Sequence, residues 1–396
     1  MKIKLQTTVK SPLPSNLRDS FLDEVEKGMH PFIDTALDQD LIKKLKTLAK
    51  DYKKFKKIIV LGIGGSSLGG IALIRALYTP LKHMEKDATH FFFLDQIDPD
   101  LISHLESNID LKNTHFIVIS KSGGTIETVS LYKYFLGKIK NQKLKTEDHF
   151  TFVTNQKSGF LLEEAQKQGI KTLSVPENLS GRFSVLSNVG LLPAAIAKLD
   201  IEAIQKGAKE AFEDFKKSSS SLALTLAANQ YALNKQNKSI NVIFPYSYRL
   251  NRFADWYIQL MAESLGKKRA VGPTPIRAIG PTDQHSQLQL FMEGPRNKQI
   301  LFLEVGKTHH EAKIPGEKYT LGDLMLAEKK GTEQALEKAS VPSQTLHIPY
   351  IDAEAIGELI MTLELQIALL AKMYGVNTYN QPGVEAGKKI TKGLLK

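Results

Sequence analysis

Short apolar runs alternate with segments of helical periodicity from about residue 57 onward. Each run has strand length and few polar interruptions, which is typical of strands buried on both faces of a sheet. The runs occupy residues 57–61, 91–95, 115–119, 150–154 and 171–175. The helical segments between them occupy residues 72–78, 100–106, 126–137 and 159–169. This alternation predicts a parallel sheet with helical crossovers.

The alternation begins again after a helical stretch from about Ile201 and a polar run at residues 218–221. Strands are predicted at residues 240–244, 299–305 and 345–350, and helices at 252–265, 286–293, 321–339 and 352–374. We therefore predict an α/β protein with two three-layer αβα domains, parallel sheets, and helical N- and C-terminal extensions. The predicted divisions are 1–50 (N-terminal arm and helix), 51–200 (first domain), 201–376 (second domain) and 377–396 (C-terminal segment).

Composition narrows the functional classes. With 396 residues and 42% hydrophobic residues, the chain is large enough for two packed cores. It has no cysteine, which excludes disulfide scaffolds, thiol catalysis and cysteine-bound metals, and predicts a cytoplasmic location. Residues 1–15 lack the apolar run of a signal peptide. The most apolar helical stretch, 352–375, contains Glu358, Glu364 and Lys372, so we predict a buried helix and no membrane partner.

The net charge of +11 favours an anionic partner, which is either a nucleic acid or a small molecule. Only 8 of the 53 basic residues are arginines, and the 45 lysines are scattered in pairs such as Lys53-Lys54. Nucleic-acid interfaces gather basic residues together with aromatic ones. The pattern therefore predicts a solvated lysine surface and no nucleic-acid partner, and it is compatible with an anionic substrate.

A glycine-rich turn at residues 62–70 follows the first predicted strand and opens onto a helix. Such a turn brings backbone N–H groups close to an anion. It is neither a dinucleotide fingerprint, because Ser67 stands where a glycine is needed, nor the phosphate loop of nucleotide triphosphatases. Two interpretations stay open, which are anion binding and close packing of a strand against a helix.

A second turn, at residues 120–125, follows the third predicted strand and also enters a helix. The hydroxyls of Ser120, Ser122 and Thr125 are expected to converge with backbone amides at the positive end of that helix. This arrangement favours a phosphate site over a simple helix cap. Since ligands of open α/β sheets bind at the carboxyl ends of strands, both turns predict a phosphorylated metabolite as substrate.

Four charged residues are candidates for the chemistry: Arg182, Glu263, His285 and Lys388. Glu263 lies four residues after Gln259, so a helix places both on one face, where Glu263 is either a positioned base or an ordinary exposed glutamate. His285 precedes a predicted helix, whose dipole favours a neutral ring suited to proton transfer.

The adjacent pair His309-His310 lacks the spacing of a metal-binding motif, so we predict that these are surface residues and that the protein holds no metal.

Several segments taken together resemble the glucose-6-phosphate isomerase family, also called phosphoglucose isomerase, which has the sugar-isomerase (SIS) fold. The resemblance is carried by residues 62–69, 120–128, 177–191, 259–263, 284–286 and 371–388. Residues 177–184 (ENLSGRFS) and 379–388 (YNQPGVEAGK) look like the two signatures of that family. The resemblance implies two SIS-type domains, with the C-terminal segment closing on the active site.

The resemblance also implies binding roles. The sugar phosphate would be held by Ser120, the backbone of Lys121, Ser122 and Thr125, with Gln381 helping to close over it. The sugar itself would be lined by Gly65, Ser66 and Gly181.

The catalytic roles implied by the resemblance belong to an aldose–ketose isomerisation between glucose 6-phosphate and fructose 6-phosphate, through a cis-enediolate. Glu263 would move a proton between C1 and C2, Gln259 would help to position groups, and Arg182 would lie beside the enediolate. His285 and Lys388 would open the sugar ring. The resemblance further implies a role in glycolysis and gluconeogenesis, no cofactor, and a homodimer in which the histidine is supplied across the subunit interface.

Other functions remain to be weighed. A related enzyme that also accepts mannose 6-phosphate differs only in pocket shape. A glucosamine 6-phosphate synthase is disfavoured because its glutaminase half needs a cysteine. A sugar-phosphate sensor would have no chemical reason to keep Glu263, Arg182, His285 and Lys388 together. A dinucleotide-dependent oxidoreductase would need a glycine at Ser67.

Overall fold

The computed structural model describes residues 2–78 and 88–395. Contacts divide the chain into two units, which we call the first unit (Pro31–Gln205) and the second unit (Met1–His30 with Lys206–Lys396). The first fifty residues therefore contribute to both units, whereas the sequence-based division treats them as one arm.

The ten strands among the described residues are β1 (Lys4–Thr7), β2 (Lys57–Leu61), β3 (His90–Leu94), β4 (Thr114–Ile119), β5 (Phe150–Thr154), β6 (Lys171–Ser174), β7 (Ile240–Tyr246), β8 (Thr274–Arg277), β9 (Lys298–Lys307) and β10 (Ser343–Tyr350). The α-helices are α1 (Leu17–Glu26), α2 (Pro31–Leu37), α3 (Gln39–Leu48), α4 (Leu68–Leu77), α5 (Pro99–Ser107), α6 (Ile126–Asn141), α7 (Thr146–His149), α8 (Phe160–Gln168), α9 (Asn188–Ile196), α10 (Ile201–Lys217), α11 (Leu222–Lys235), α12 (Asn251–Leu265), α13 (Leu288–Glu293), α14 (Leu321–Lys338), α15 (Ala353–Tyr374) and α16 (Glu385–Leu394). Three 3-10 turns bear on the site: Gly64–Ser66, Gly181–Phe183 and Thr282–His285.

The sheet of the first unit has the order β3-β2-β4-β5-β6, and all its strands are parallel. Its five strands agree with the predicted ones to within one residue at each end. The chain passes from β2 outward to β3 and then returns to the other side of β2 with β4, so the direction of winding reverses between β2 and β4. In open α/β sheets such a reversal opens a crevice at the carboxyl ends of the two strands.

The core of the first unit explains why its central strands β2, β4 and β5 are mostly apolar runs. Ile59, Phe116 and Phe152 are fully buried in three adjacent strands, and they pack with Phe135 of α6 and Leu161 of α8. A parallel sheet covered by helices on both faces has no polar face, so the alternation typical of a half-exposed strand is absent.

The sheet of the second unit has the order β1-β10-β9-β7-β8. The strands β7 to β10 are parallel, but β1 runs antiparallel to β10, with Lys4 opposite His347. The predicted parallel sheet is therefore found in β7 to β10, and β1 adds an antiparallel edge strand that was not predicted. Neither β1 nor β8 was predicted, because each has a single aliphatic residue, Leu5 or Ile276. Strand β8 also contains Pro275, which is tolerated only where a ladder hydrogen bond is not required.

Helix α15 is buried along most of its length in the second unit. Every residue of this helix from Ala355 to Ala371 is buried, including Glu358 and Glu364. It packs against α11 and α12, so its apolar surface is covered by protein. No helix within residues 2–78 and 88–395 has both the length and the apolar character needed to span a bilayer.

Candidate active site

Three hydroxyl groups converge in the turn between β4 and α6. The Oγ atom of Ser120 lies 2.8 Å from Oγ1 of Thr125 and 3.4 Å from Oγ of Ser122, and Ser122 Oγ lies 3.4 Å from Thr125 Oγ1. Thr125 occupies the N-cap position of α6 but makes no side-chain cap hydrogen bond. The hydroxyl of Thr125 is therefore used in the cluster and not as a helix cap, and the N-terminal end of α6 faces the same place.

The backbone of this turn is held in place by neighbouring groups. Gly123 has a φ of +68°, a conformation that glycine adopts at little cost. The side-chain amide of Asn155 donates a hydrogen bond to the Lys121 carbonyl, at 2.8 Å. Burial lowers the pKa of Lys121. The negative charge of Glu177 raises this pKa in part, and the positive charge of Arg182 lowers it further. The turn thus combines fixed backbone groups, three hydroxyls and a half-buried cation.

The glycine-rich turn after β2 packs directly against a second stretch of backbone. A Cβ atom at Gly65 would lie 2.4 Å from the carbonyl carbon of Gly181, and one at Gly69 would lie 2.4 Å from the side chain of Val185. Close packing therefore accounts for these glycines. Its consequence is chemical as well, because the packing places Gly181 and Arg182 beside the turn that carries Gly65 and Ser66.

Arg182 is a buried cation at this position, with 1% of its surface exposed. The 3-10 turn that carries it is closed by Ser184, whose hydroxyl donates to the carbonyl of Gly181 at 2.6 Å. The first unit therefore brings Ser120, Ser122, Thr125, Lys121, Gly65, Ser66, Gly181 and Arg182 to the carboxyl edge of its sheet, where the winding of β2 and β4 reverses.

In the second unit, Gln259 and Glu263 form a pair on one face of α12. The Nε2 atom of Gln259 donates to Oε1 of Glu263 at 3.0 Å, as the four-residue spacing predicts. Glu263 is half-buried, so it is not the freely exposed glutamate of the alternative interpretation. The hydrogen bond restricts the carboxylate to one orientation, which suits a group that has to reach a defined proton.

His285 is the last residue of a 3-10 turn and is exposed. The predicted helix at 286–293 begins later, at Leu288, so the imidazole does not lie directly at the end of an α-helix. The turn is held by Asp283, whose Oδ2 accepts the N–H of Ile279 at 2.7 Å and whose other oxygen accepts the Ser286 hydroxyl. Burial by itself raises the pKa of Asp283, but these hydrogen bonds lower it overall. The carboxylate therefore stays ionised and accepts hydrogen bonds.

Gln381 and Lys388 both lie in exposed C-terminal positions of the second unit. The carbonyl of Asn380, next to Gln381, accepts a hydrogen bond from Lys267. On α16, Lys388 forms an ion pair with Glu385 at 2.8 Å, with both side chains more than half exposed. The ammonium group of Lys388 is thus on the surface of the unit, in contact with solvent.

The part of the chain that the structure describes contains no group of three His, Cys, Asp or Glu side chains arranged to hold a metal ion. His309 and His310 are exposed, and the ring of His309 lies 4.4 Å from that of Tyr350.

The family of this chain is established by comparison with known protein families. The family model described as phosphoglucose isomerase matches residues 37–329, which is more than half of the chain. The chain belongs to the phosphoglucose isomerase family.

Individual relatives and solved structures match nearly the whole chain. A glucose-6-phosphate isomerase of Carboxydothermus hydrogenoformans is 38% identical, over 95% of this chain and 87% of its own length. The structure of a hypothetical protein from Thermus thermophilus superposes with a TM-score of 0.87 at 32% identity, covering 96% of this chain and 94% of that one. A glucose-6-phosphate isomerase structure from Chlamydia trachomatis has a TM-score of 0.83 at 19% identity, covering 100% and 88%, which concerns the fold alone. The predicted SIS-type α/β fold is confirmed.

Some supporting residues of this phosphoglucose isomerase family member were missed by the sequence reasoning. Asp283 and Ser184 hold the turns that carry His285 and Arg182, and Asn155 holds the Lys121 carbonyl. The first two have a local signal, since an Asp or Ser that closes a turn within three or four residues is common. Asn155 has none, because its partner is distant in the sequence and meets it only across β4 and β5.

Proposed function

We propose that this chain is an aldose–ketose isomerase that interconverts glucose 6-phosphate and fructose 6-phosphate, with a role in glycolysis and gluconeogenesis. The observation that carries the proposal is the convergence of three hydroxyls at the N-terminal end of α6, at the point where the first sheet reverses its winding. The activity named for the Carboxydothermus relative supports the same substrate.

The turn at residues 120–125 is proposed to hold the phosphate group of the substrate. Ser120, Ser122 and Thr125 offer neutral hydroxyl donors, the Lys121 backbone adds an N–H group, and the α6 dipole favours a dianion. Most of these donors are uncharged, so the phosphate is bound firmly without an ion pair that would slow its release. Gly65, Ser66 and Gly181 are proposed to line the sugar.

Glu263 is proposed as the base that carries a proton between C1 and C2 of the open-chain sugar. A C–H group next to a carbonyl is a weak acid, so a carboxylate removes its proton only if the resulting enediolate is stabilised. Arg182 is proposed to provide that positive charge, and Gln259 to orient the carboxylate. A positioned base contributes about 10² to 10⁴ in rate, and one preorganised electrostatic contact contributes about 10² to 10³.

Ring opening is proposed to require His285 and Lys388, with Gln381 closing over the phosphate. Lys388 would exchange its ion pair with Glu385 for a contact with the substrate, and this exchange costs little because water and salt weaken exposed pairs. The exposure of His285 supports a homodimer in which it serves the active site of the partner subunit. A cytoplasmic location is proposed from the absence of cysteine.

The proposal is tested by the conversion of fructose 6-phosphate to glucose 6-phosphate by purified protein, with a metal chelator present. Glu263→Gln is expected to lower turnover by about 10² to 10⁴ while fructose 6-phosphate still binds, because only the proton-accepting oxygen is lost. Glu337→Gln, the same change at an exposed position of α14, serves as the matched control and should turn over like the wild type.

A Glu263→Gln variant that retains most of its turnover would remove Glu263 from the mechanism. A wild-type protein that binds fructose 6-phosphate without converting it would instead favour a sugar-phosphate sensor. Conversion of mannose 6-phosphate in the same assay would identify the broader isomerase.

A further inference from the structure

The segment between α15 and α16, residues 375–381, is held by side chains from two distant parts of the second unit. It begins at Gly375, which ends α15 with a φ of +59°, and leads to Gln381. Within it, Oδ1 of Asn377 accepts the N–H groups of Tyr379 at 2.8 Å and Asn380 at 3.1 Å. These hydrogen bonds fix the backbone turn immediately before Gln381.

The first of the two outside contacts comes from His30, at the end of the N-terminal portion of the unit. His30 is 6% exposed, and its ring stacks on Phe21 with 4.0 Å between centroids. Its Nδ1 atom lies 2.6 Å from the Tyr379 hydroxyl, and its Nε2 atom lies 3.1 Å from a carboxylate oxygen of Glu24. A buried imidazole thus connects the segment to α1.

The direction of these hydrogen bonds follows from the charges. Burial by itself raises the pKa of Glu24, but Lys372 and His30 lower it overall. This carboxylate is therefore ionised and accepts hydrogen bonds. Nε2 of His30 therefore carries the proton it donates to Glu24. Burial also lowers the pKa of His30, which keeps the ring neutral, so Nδ1 accepts the hydroxyl proton of Tyr379. The chain of donors runs from Tyr379 through His30 to Glu24.

The second outside contact comes from Lys267 and Lys268, which follow α12, the helix that carries Glu263. Lys267 donates to the carbonyl of Asn380, and Nζ of Lys268 donates to the carbonyl of Gly375 at 3.1 Å. The backbone next to Gln381 is therefore bonded on one side to the residues that follow the helix of the proposed base, and the segment is bonded on the other side to His30.

We propose that Tyr379 and His30 are positioning residues that fix Gln381 for contact with the substrate's phosphate group. In this role both side chains act through Gln381 and not through a contact of their own with the substrate. Tyr379 holds the backbone two residues before Gln381, and His30 receives the Tyr379 hydroxyl in a site made rigid by Phe21 and Glu24. This inference rests on the proposed function, which assigns Gln381 to the phosphate.

The test is a double-mutant cycle of Tyr379→Phe and Gln381→Ala, with fructose 6-phosphate as substrate. Tyr379→Phe removes one hydroxyl and keeps the ring, so it is expected to fold. We expect KM to rise about three- to tenfold, in line with the loss of one hydrogen bond, while kcat changes less than about twofold. In the Gln381→Ala background the same change should leave KM unaltered, because the residue that Tyr379 positions is already gone.

Tyr374→Phe is the matched control, since its hydroxyl bonds to Asn234 elsewhere in the second unit. It should leave KM at the wild-type value. Equal effects of Tyr379→Phe in both Gln381 backgrounds, or an equal rise in KM from Tyr374→Phe, would overturn the inference while the proposed function stands. A wild-type protein without isomerase activity would overturn the proposed function, and the inference with it.

Discussion

Two glycines of the first unit, Gly65 and Gly137, differ in the space available for a side chain. A Cβ atom at Gly65 would lie 2.4 Å from the carbonyl carbon of Gly181 and 2.6 Å from the backbone nitrogen of Arg182. At Gly137, inside α6, no heavy atom of the described residues lies within 4 Å of the corresponding position, apart from its chain neighbours and the backbone of its own helix. The first glycine is required by a contact between two backbones, and the second is not required by any contact.

The variants Gly65→Ala and Gly137→Ala should therefore differ in sign. Gly65→Ala has to push apart two backbone segments, which costs about 1 to 3 kcal/mol of the free energy of unfolding, and it should lower turnover because it displaces Arg182. Gly137→Ala should stabilise the protein by about 0.5 to 1 kcal/mol, since alanine restricts the unfolded chain and favours the helix. Urea unfolding of both variants measures the difference. A Gly65→Ala protein with wild-type stability would show that the contact is not as tight as the structure indicates.

The same residues show what could be predicted at this scale. The pairing of Gln259 with Glu263 follows from local helix geometry, so the sequence was sufficient for it. The role of Gly65 was left open between anion binding and packing because its contact, Gly181, lies far along the chain. The hydrogen bond between His30 and Tyr379 was not predicted for the same reason.

Among the elements, the buried central strands match their predicted ranges best. The strands β2 and β5 match the predicted ranges because their residues are almost all buried, so the apolar run and the strand coincide. The strands β1 and β8 were missed because each contains a single aliphatic residue, Leu5 or Ile276. Position at the edge of a sheet did not decide the outcome, since the edge strands β3 and β6 were predicted.

Helix α15 carries an unusual group for its environment. Glu364 is fully buried, and neither of its carboxylate oxygens has a hydrogen-bond partner among the residues that the structure describes. Burial raises the pKa of Glu364 well above its ordinary value. The folded protein therefore binds a proton at this position more tightly than the unfolded chain does.

This difference in proton binding predicts how stability depends on pH. A carboxyl whose pKa is raised by folding destabilises the folded state progressively as the pH rises above its unfolded value of about 4.3, by up to about 1.4 kcal/mol for each pH unit, until its folded pKa is reached. The amide that replaces the carboxyl group in Glu364→Gln cannot lose a proton. The free energy of unfolding of this variant should therefore rise relative to that of the wild type between pH 5 and pH 8, as measured by urea unfolding. Glu337→Gln should parallel the wild type. Parallel curves for Glu364→Gln and the wild type would contradict a buried, protonated Glu364.

At the scale of the whole molecule, the repeated alternation of apolar runs and helical segments was enough to predict two α/β halves. It was not enough to predict the path of the N-terminus, whose strand β1 pairs with β10 near the other end of the chain. Nor could it establish the oligomeric state. The oligomeric state matters for His285, which is exposed on this chain, because the ring-opening role proposed for it requires contact with a substrate.

A subunit-mixing experiment tests whether Glu263 and His285 of one active site come from different subunits. If each active site combines Glu263 of one subunit with His285 of the other, Glu263→Gln and His285→Ala homodimers are both impaired, yet a mixed dimer contains one site with both residues intact. Refolding the two variants together in equal amounts makes half of the dimers mixed, so activity should return to about a quarter of the wild-type value. Refolding each variant alone is the control. Activity no higher than the mean of the two separate variants would place His285 and Glu263 of one active site in the same subunit.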